Sequence, residues 1–135
     1  MRYEEALKEM KKARVREKPK NEEHRLQCQM IKVFRLKYPK LKDVLFAVPN
    51  GGRRDSISGK KLKDEGVIAG VSDLILLKSN HYYGSLCIEV KTPQGTQSKA
   101  QQEWQRQVEL QGNKYVICRS VDDFIKQVTI YLKNV

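Results

Sequence analysis

The chain has 135 residues, 39% of them hydrophobic, and 27 lysines and arginines against 16 acids give it a formal charge of +11. This length holds one domain with a real core, and no apolar run approaches the ~20 residues that span a bilayer. The N-terminus is charged and lacks an apolar signal core, so a cytoplasmic location is expected.

The basic excess is a footprint for a negatively charged partner, with DNA or RNA ahead of an anionic membrane surface. Residues 1–20 form a first segment, in which Tyr3, Leu7, Met10 and Val15 fall at roughly helical spacing before Lys18-Pro19-Lys20 breaks the pattern. An accessory basic helix or arm for DNA contact or dimerisation fits this stretch, and so does an inert solvated extension. Asn21 then suits an N-cap, and a helix is expected from there to about Tyr38, stopping before Pro39. Leu26, Met30, Ile31, Val33, Phe34 and Tyr38 trace its apolar face. At about 100° per residue Glu23 falls near the middle of that face and Glu22 well to one side. A carboxylate aimed at a core needs a cation to meet, so Glu23 is a candidate functional acid. Glu22 only favours the helix N-terminus.

Val44 to Val48 reads as a buried strand, ended by Pro49-Asn50-Gly51-Gly52-Arg53-Arg54. Such a loop offers backbone N–H groups and arginines to phosphate, which marks Asn50, Gly51, Arg53 and Arg54 as candidate DNA contacts. Ser56 to Glu65 is expected to be a short basic helix closed by Gly66, with Lys60 and Lys61 as further contacts. Gly70 permits a close backbone approach to a ligand, or an unusual dihedral, just before Asp73.

Asp73 opens the apolar run Leu74-Ile75-Leu76-Leu77, and after a turn-like segment the run Leu86-Cys87-Ile88-Glu89-Val90-Lys91 follows. Residues at i and i+2 on a strand share a face, so Glu89 and Lys91 project together, and Asp73 reaches them if the runs pair as a hairpin. Ser98, with Gln101 three residues on, matches a capping box for a helix carrying Ala100, Trp104 and Val108 inward and ending at Gly112. Capping accounts for Gln101; a contact to a scissile phosphate or to metal-bound water is its functional alternative. Tyr115 to Cys118 is a further strand, and Ser120-x-x-Asp123 caps a last helix bearing Phe124, Ile125, Val128, Tyr131 and Leu132. The order gives an α/β fold, a small mixed sheet flanked by helices. Cys28, Cys87 and Cys118 lack CxxC spacing, and His24 lies far from His81, so buried reduced thiols are expected rather than disulfides or a zinc cluster.

Two carboxylates and a lysine at one sheet edge of a basic chain suit metal-dependent hydrolysis of a polyanion. Mg²⁺ or Mn²⁺ binds carboxylate and carbonyl oxygens and clamps phosphate. Asp73 and Glu89 are the candidate ligands, the Val90 carbonyl a third, and Glu23 a further one. Lys91 would steady the attacking water or the phosphoryl charge.

The residues carry a family pattern. Glu23-His24-Arg25-Leu26-Gln27, Pro49-Asn50-Gly51-Gly52-x-Arg54 and Gly66-x-x-x-Gly70-Val71-Ser72-Asp73-Leu74 stand in order. Ile88-Glu89-Val90-Lys91 and Ser98-x-x-Gln101 before Gly112 complete the set. Over roughly Asn21 to Val135 the chain resembles the virus-type replication-repair nuclease (VRR-NUC) family of the PD-(D/E)XK nucleases. Ser72 departs from the proline that often precedes the aspartate. The resemblance implies a restriction-endonuclease-like core and Mg²⁺- or Mn²⁺-dependent DNA cleavage. It also implies metal ligation by Asp73, Glu89 and Val90, Lys91 as the catalytic lysine, Glu23 as the helix-borne acid, and Gln27 and Gln101 as active-site glutamines. Small stand-alone members look like phage or mobile-element proteins that dimerise and act on branched DNA such as four-way (Holliday) junctions. The expectation is therefore a homodimeric, structure-selective DNA endonuclease working in a bacterial host cell. A nickase or restriction-type nuclease on linear duplex, or a non-catalytic DNA-binding subunit, would share the same basic face.

Overall fold

Apolar residues spaced by two on the strands and by three or four on the helices sort the chain into layers. The computed structural model describes residues 1–12, 19–49 and 56–135. Among these, helices α1 (Tyr3–Lys12) and α2 (Pro19–Lys37) lead to a 3-10 turn at Pro39–Leu41 and strand β1 (Leu45–Ala47). Helix α3 (Ser56–Asp64) precedes strands β2 (Leu74–Leu76) and β3 (Leu86–Val90). Helix α4 (Lys99–Leu110), strand β4 (Lys114–Cys118) and helix α5 (Val121–Leu132) follow. From α2 onward this is the order expected from the sequence.

The sheet runs β1-β2-β3-β4, antiparallel at the first two joins and parallel at the third. A parallel join needs a crossover, and α4 supplies it between β3 and β4. One face of the sheet carries Leu74, Leu76, Leu86, Ile88, Val90, Val116 and Cys118. These residues form a single buried cluster with Leu26, Met30, Val33 and Phe34 of α2 and with Phe124, Val128 and Tyr131 of α5. Alternation turns Ile75, Cys87, Glu89 and Tyr115 to the opposite face. There α4 lies, with Trp104 meeting Tyr115 edge-on at 6.1 Å between ring centroids.

Several local expectations give way. Helix α2 begins at Pro19, two residues before Asn21, because a proline in the first helical turn sacrifices no internal hydrogen bond. Of β1 only Leu45 is buried, since this strand is the sheet edge and Phe46 lies 38% exposed. Ala100 is exposed and α4 buries no residue fully, so it covers the sheet thinly. Cys28 is exposed on α2 with its Sγ 3.6 Å from His24 Nε2, whereas Cys87 and Cys118 are buried thiols. The first segment contains α1, which packs through buried Ala6 and half-buried Tyr3, Leu7 and Met10. Among the described residues no helix is long and apolar enough to cross a membrane.

Phe34 joins α2 to α5 through Phe124, with ring centroids 6.4 Å apart. Phe34→Ala should cost roughly 3–5 kcal/mol, read as a lowered urea midpoint. A loss below about 1 kcal/mol would show that this helix pair does not carry the core.

Candidate active site

The register of the central hairpin sets the site. Leu74 pairs with Ile88 and Leu76 with Leu86, so the next step in the ladder brings Asp73 level with Glu89. There β2 leaves β3. The Asp73 carbonyl still accepts the Val48 N–H at 2.9 Å, but the Val90 N–H bonds to the Asp73 side chain, Oδ2 at 2.7 Å. A carboxylate oxygen thus takes the place of a strand carbonyl. The N–H and C=O of one strand residue point to the same side, which turns the Val90 carbonyl toward the gap as well.

Gly70 explains why the strands part. Its φ is +84°, and a Cβ there would collide with the Ala100 carbonyl group and stand 2.7 Å from Gln101 N. The chain before Asp73 is therefore drawn against the first turn of α4. Of the two readings of Gly70, the unusual dihedral is present, and the backbone it approaches closely is that of this helix.

Glu89 is 1% exposed. Its Oε2 accepts from Gln101 Nε2 at 2.7 Å and stands 3.5 Å from Lys91 Nζ. Gln101 also closes the capping box, with Oε1 accepting the Ser98 N–H and the Gln101 N–H donating to Ser98 Oγ. Its capping and active-site readings are thus compatible: the two ends of one amide serve them. Glu89 Oε1 is buried and has no hydrogen-bond partner among the described residues. Burial, and next the charge of Asp73, push the Glu89 carboxyl up to about 8, with Lys91 opposing. Burial also raises Asp73, against the lowering effects of the Val90 N–H, Glu89 and Lys91.

Glu89 Oε1 suits a hard cation. Among the described residues no cluster of three or more His, Cys, Asp or Glu side chains is placed to hold a metal. Two carboxylates plus a strand carbonyl fit an ion that keeps several waters, as Mg²⁺ does, better than zinc.

Glu23 and Gln27 stand apart from this group. Helix α2 packs on the core face, and neither residue makes a hydrogen bond or ion pair with Asp73, Glu89 or Lys91 among the described residues. Both are half-buried, as is Glu22, so burial does not separate Glu23 from its neighbour. Gln27 lines an open groove along α2 with His24, Cys28, Ile31 and Arg35. Lys60 and Lys61 are exposed on α3, and Lys60 pairs with Asp64 at 3.0 Å. Asn50, Gly51, Arg53 and Arg54 lie outside the described residues.

Two sets of contacts near the site escape sequence reasoning. Gln97 Nε2 donates to Tyr115 O at the phenol (3.1 Å) and to Gln105 Oε1 (2.8 Å), tying the loop before α4 to the sheet. Burial raises the Tyr115 phenol above its usual range, and Glu89 and Asp73 add to that. Arg119 donates through Nη1 to the Thr92 and Gly95 carbonyls at 2.8 and 2.6 Å. A polar loop flanked by Gln97 hints at the first contact; nothing in the sequence hints at Arg119.

A mixed sheet whose hairpin parts at an acid, with a second acid and a lysine beside the gap, defines a restriction-endonuclease-like α/β protein. The chain belongs to the VRR-NUC domain family, which it matches over residues 8–122, and this assigns it a nuclease-type function. It is similar to a solved VRR_NUC domain protein with a TM-score of 0.73 and 25% identity, over 84% of this chain and 89% of that one. No curated protein matches it.

Two tests follow from the geometry. Between pH 4.5, the ordinary value, and about 8 the folded chain holds a Glu89 proton that the unfolded chain has lost. That contribution is complete below the lower value and disappears as pH rises through the upper one. In chelator, denaturant melts should show wild type losing on the order of a few kcal/mol from pH 5 to 9, and Glu89→Gln losing much less. Equal slopes would contradict the assignment. Gly70→Ala should destabilise by on the order of 2–5 kcal/mol, combining positive φ with a backbone clash. A thermal melt unchanged from wild type would refute the packing argument.

Proposed function

We propose that this chain is a Mg²⁺- or Mn²⁺-dependent DNA endonuclease selective for branched substrates. The observation that carries the reading is a buried Glu89 carboxyl with one oxygen unpartnered among the described residues, level with a half-buried Asp73 and beside an ammonium group. Gln101 and Lys91 both engage Glu89 Oε2, which leaves Oε1 as the free ligand atom. Asp73, Glu89 and the Val90 carbonyl would hold the ion. When bound, it supplies the Lewis-acid chemistry and nucleophile activation of phosphodiester hydrolysis. Asp73 keeps the strands apart by occupying the Val90 N–H. Lys91, 3.5 Å from Glu89, stands where an ammonium can orient water or offset charge on the phosphoryl oxygens. Glu23 and Gln27 serve this reaction if substrate or cation draws the N-terminal part of α2 toward the gap.

The charge of +11 supports a polyanionic substrate. Lys60 and Lys61, with Asn50, Gly51, Arg53 and Arg54, would grip the backbone. A two-fold dimer would present two sites to the opposed strands of a symmetric junction, and the junction preference and homodimer are proposed together on that ground. The setting proposed is the cytoplasm of a bacterial host, for a phage- or mobile-element-encoded protein.

Labelled four-way junction, flap and linear duplex, incubated with Mn²⁺ at equal salt, test the reading. Cleavage of branched DNA should exceed that of linear duplex, and Lys91→Ala should reduce it by at least about 10²-fold. Asp73→Asn should abolish the heat of Mn²⁺ binding in calorimetry. No cation-dependent cut in wild type would end the enzyme reading, and equal rates on all three substrates would end branch selectivity.

A further inference from the structure

A lysine ammonium on a four-carbon stem is a mobile charge unless something walls it in. The β4–α5 junction provides that wall. The Lys91 N–H donates to the Cys118 carbonyl at 3.1 Å, and Arg119 follows directly, its own N–H held by Asp123 Oδ2 at 3.0 Å. From this anchored position the Arg119 side chain reaches the loop leaving Lys91. Nη1 donates to the Thr92 carbonyl at 2.8 Å and to the Gly95 carbonyl at 2.6 Å, with the Pro93 carbonyl glancing at 3.5 Å. The Gly95 N–H closes the turn onto the Thr92 carbonyl at 3.0 Å. Gly95 in turn lies against the Lys91 stem. A Cβ at Gly95 would stand 3.4 Å from Lys91 Cδ and 3.2 Å from Thr92 Oγ1, so the loop backbone fills the space beside the lysine. No carboxylate forms an ion pair with the Arg119 side chain among the described residues; its charge goes to loop carbonyls. Charged donors hold such carbonyls more firmly than neutral ones.

We propose that Arg119 and Gly95 form a clasp that sets where the Lys91 ammonium stands. Arg119 is then a positioning residue for the cleavage reaction, a role that rests on the nuclease reading above. The clasp acts through the Lys91 stem and not through the carboxyl pair. It therefore governs turnover while leaving cation affinity and DNA binding alone.

Two measurements test it. In the metal-free protein, formaldehyde–borane methylation followed by peptide mass spectrometry reports the accessibility of Lys91, with exposed Lys61 as internal reference. Arg119→Ala should raise the Lys91 rate about fivefold or more by local opening, and Arg119→Lys should fall between it and wild type. In cleavage assays Arg119→Ala should lower kcat about 10- to 100-fold, with KM within about twofold and Mn²⁺ affinity unchanged. Unchanged Lys91 protection in Arg119→Ala overturns the clasp. So does a loss in which KM and Mn²⁺ affinity worsen in step with kcat, the mark of a general structural brace. If Arg119→Ala fails to fold, Arg119→Gln, which keeps a neutral donor, decides the matter, and unchanged Lys91 protection there overturns the clasp. If wild type itself does not cleave, the nuclease reading falls, and the methylation result still judges the clasp.

Discussion

A single backbone N–H, that of Val90, governs this molecule. Where β2 leaves β3, that donor would be buried without a strand partner, and an orphaned buried amide costs about as much as a lost hydrogen bond. The Asp73 carboxylate fills the vacancy at 2.7 Å. The sheet can therefore open at one point without a backbone penalty. The opening holds two acids level with each other and turns a strand carbonyl toward them. Remove the side-chain substitute, and the strands must either zip further or leave the amide bare.

The electrostatics of the gap follow from its roof. Helix α4 buries no residue fully, yet it sits close enough through Gly70 for Gln101 to reach Glu89. One amide caps the helix with its oxygen and holds an acid with its nitrogen, so the position of the helix and the orientation of the acid are a single variable. Lys91 offsets part of the buried charge but engages only one oxygen of Glu89. Burial and the charge of Asp73 raise the Glu89 carboxyl to about 8, although the chain carries +11 overall. Carboxyls perturbed in this way by burial and a like charge cluster at functional sites.

Much of this was legible because it is local. The period of two in Leu86–Lys91 places Glu89 with Lys91, and Asp73 joins them on the condition that the two runs pair as a hairpin, which they do. The pattern Ser98-x-x-Gln101 encodes the cap. What stayed hidden depends on neighbours far along the chain. Gly70 signals a special backbone, but that its neighbour is a helix emerges only once α4 is docked. The apolar stripe of α2 puts Glu23 inward without saying which sheet face is inward, and that face proves to be the one without Glu89. Pro19 reads as a breaker because proline also opens helices. Arg119 is one of many basic residues, and only the folded loop shows that its partners are carbonyls. Cys28, expected to be buried, lies on the outer side of an otherwise half-buried helix.

Asp73, Glu89, Val90, Lys91 and Gln101 all belong to one unbroken stretch, a hairpin followed by its crossover helix. What orients them against one another lies mostly inside that stretch, with Gly70 just before it, the Val48 N–H on Asp73 and the tether at the β4–α5 junction as outside supports. Such a unit is portable. Segments on either side can lengthen, shrink or acquire new surfaces without altering the spacing of the acids, so the periphery can be refitted while the two acids and the lysine are inherited together.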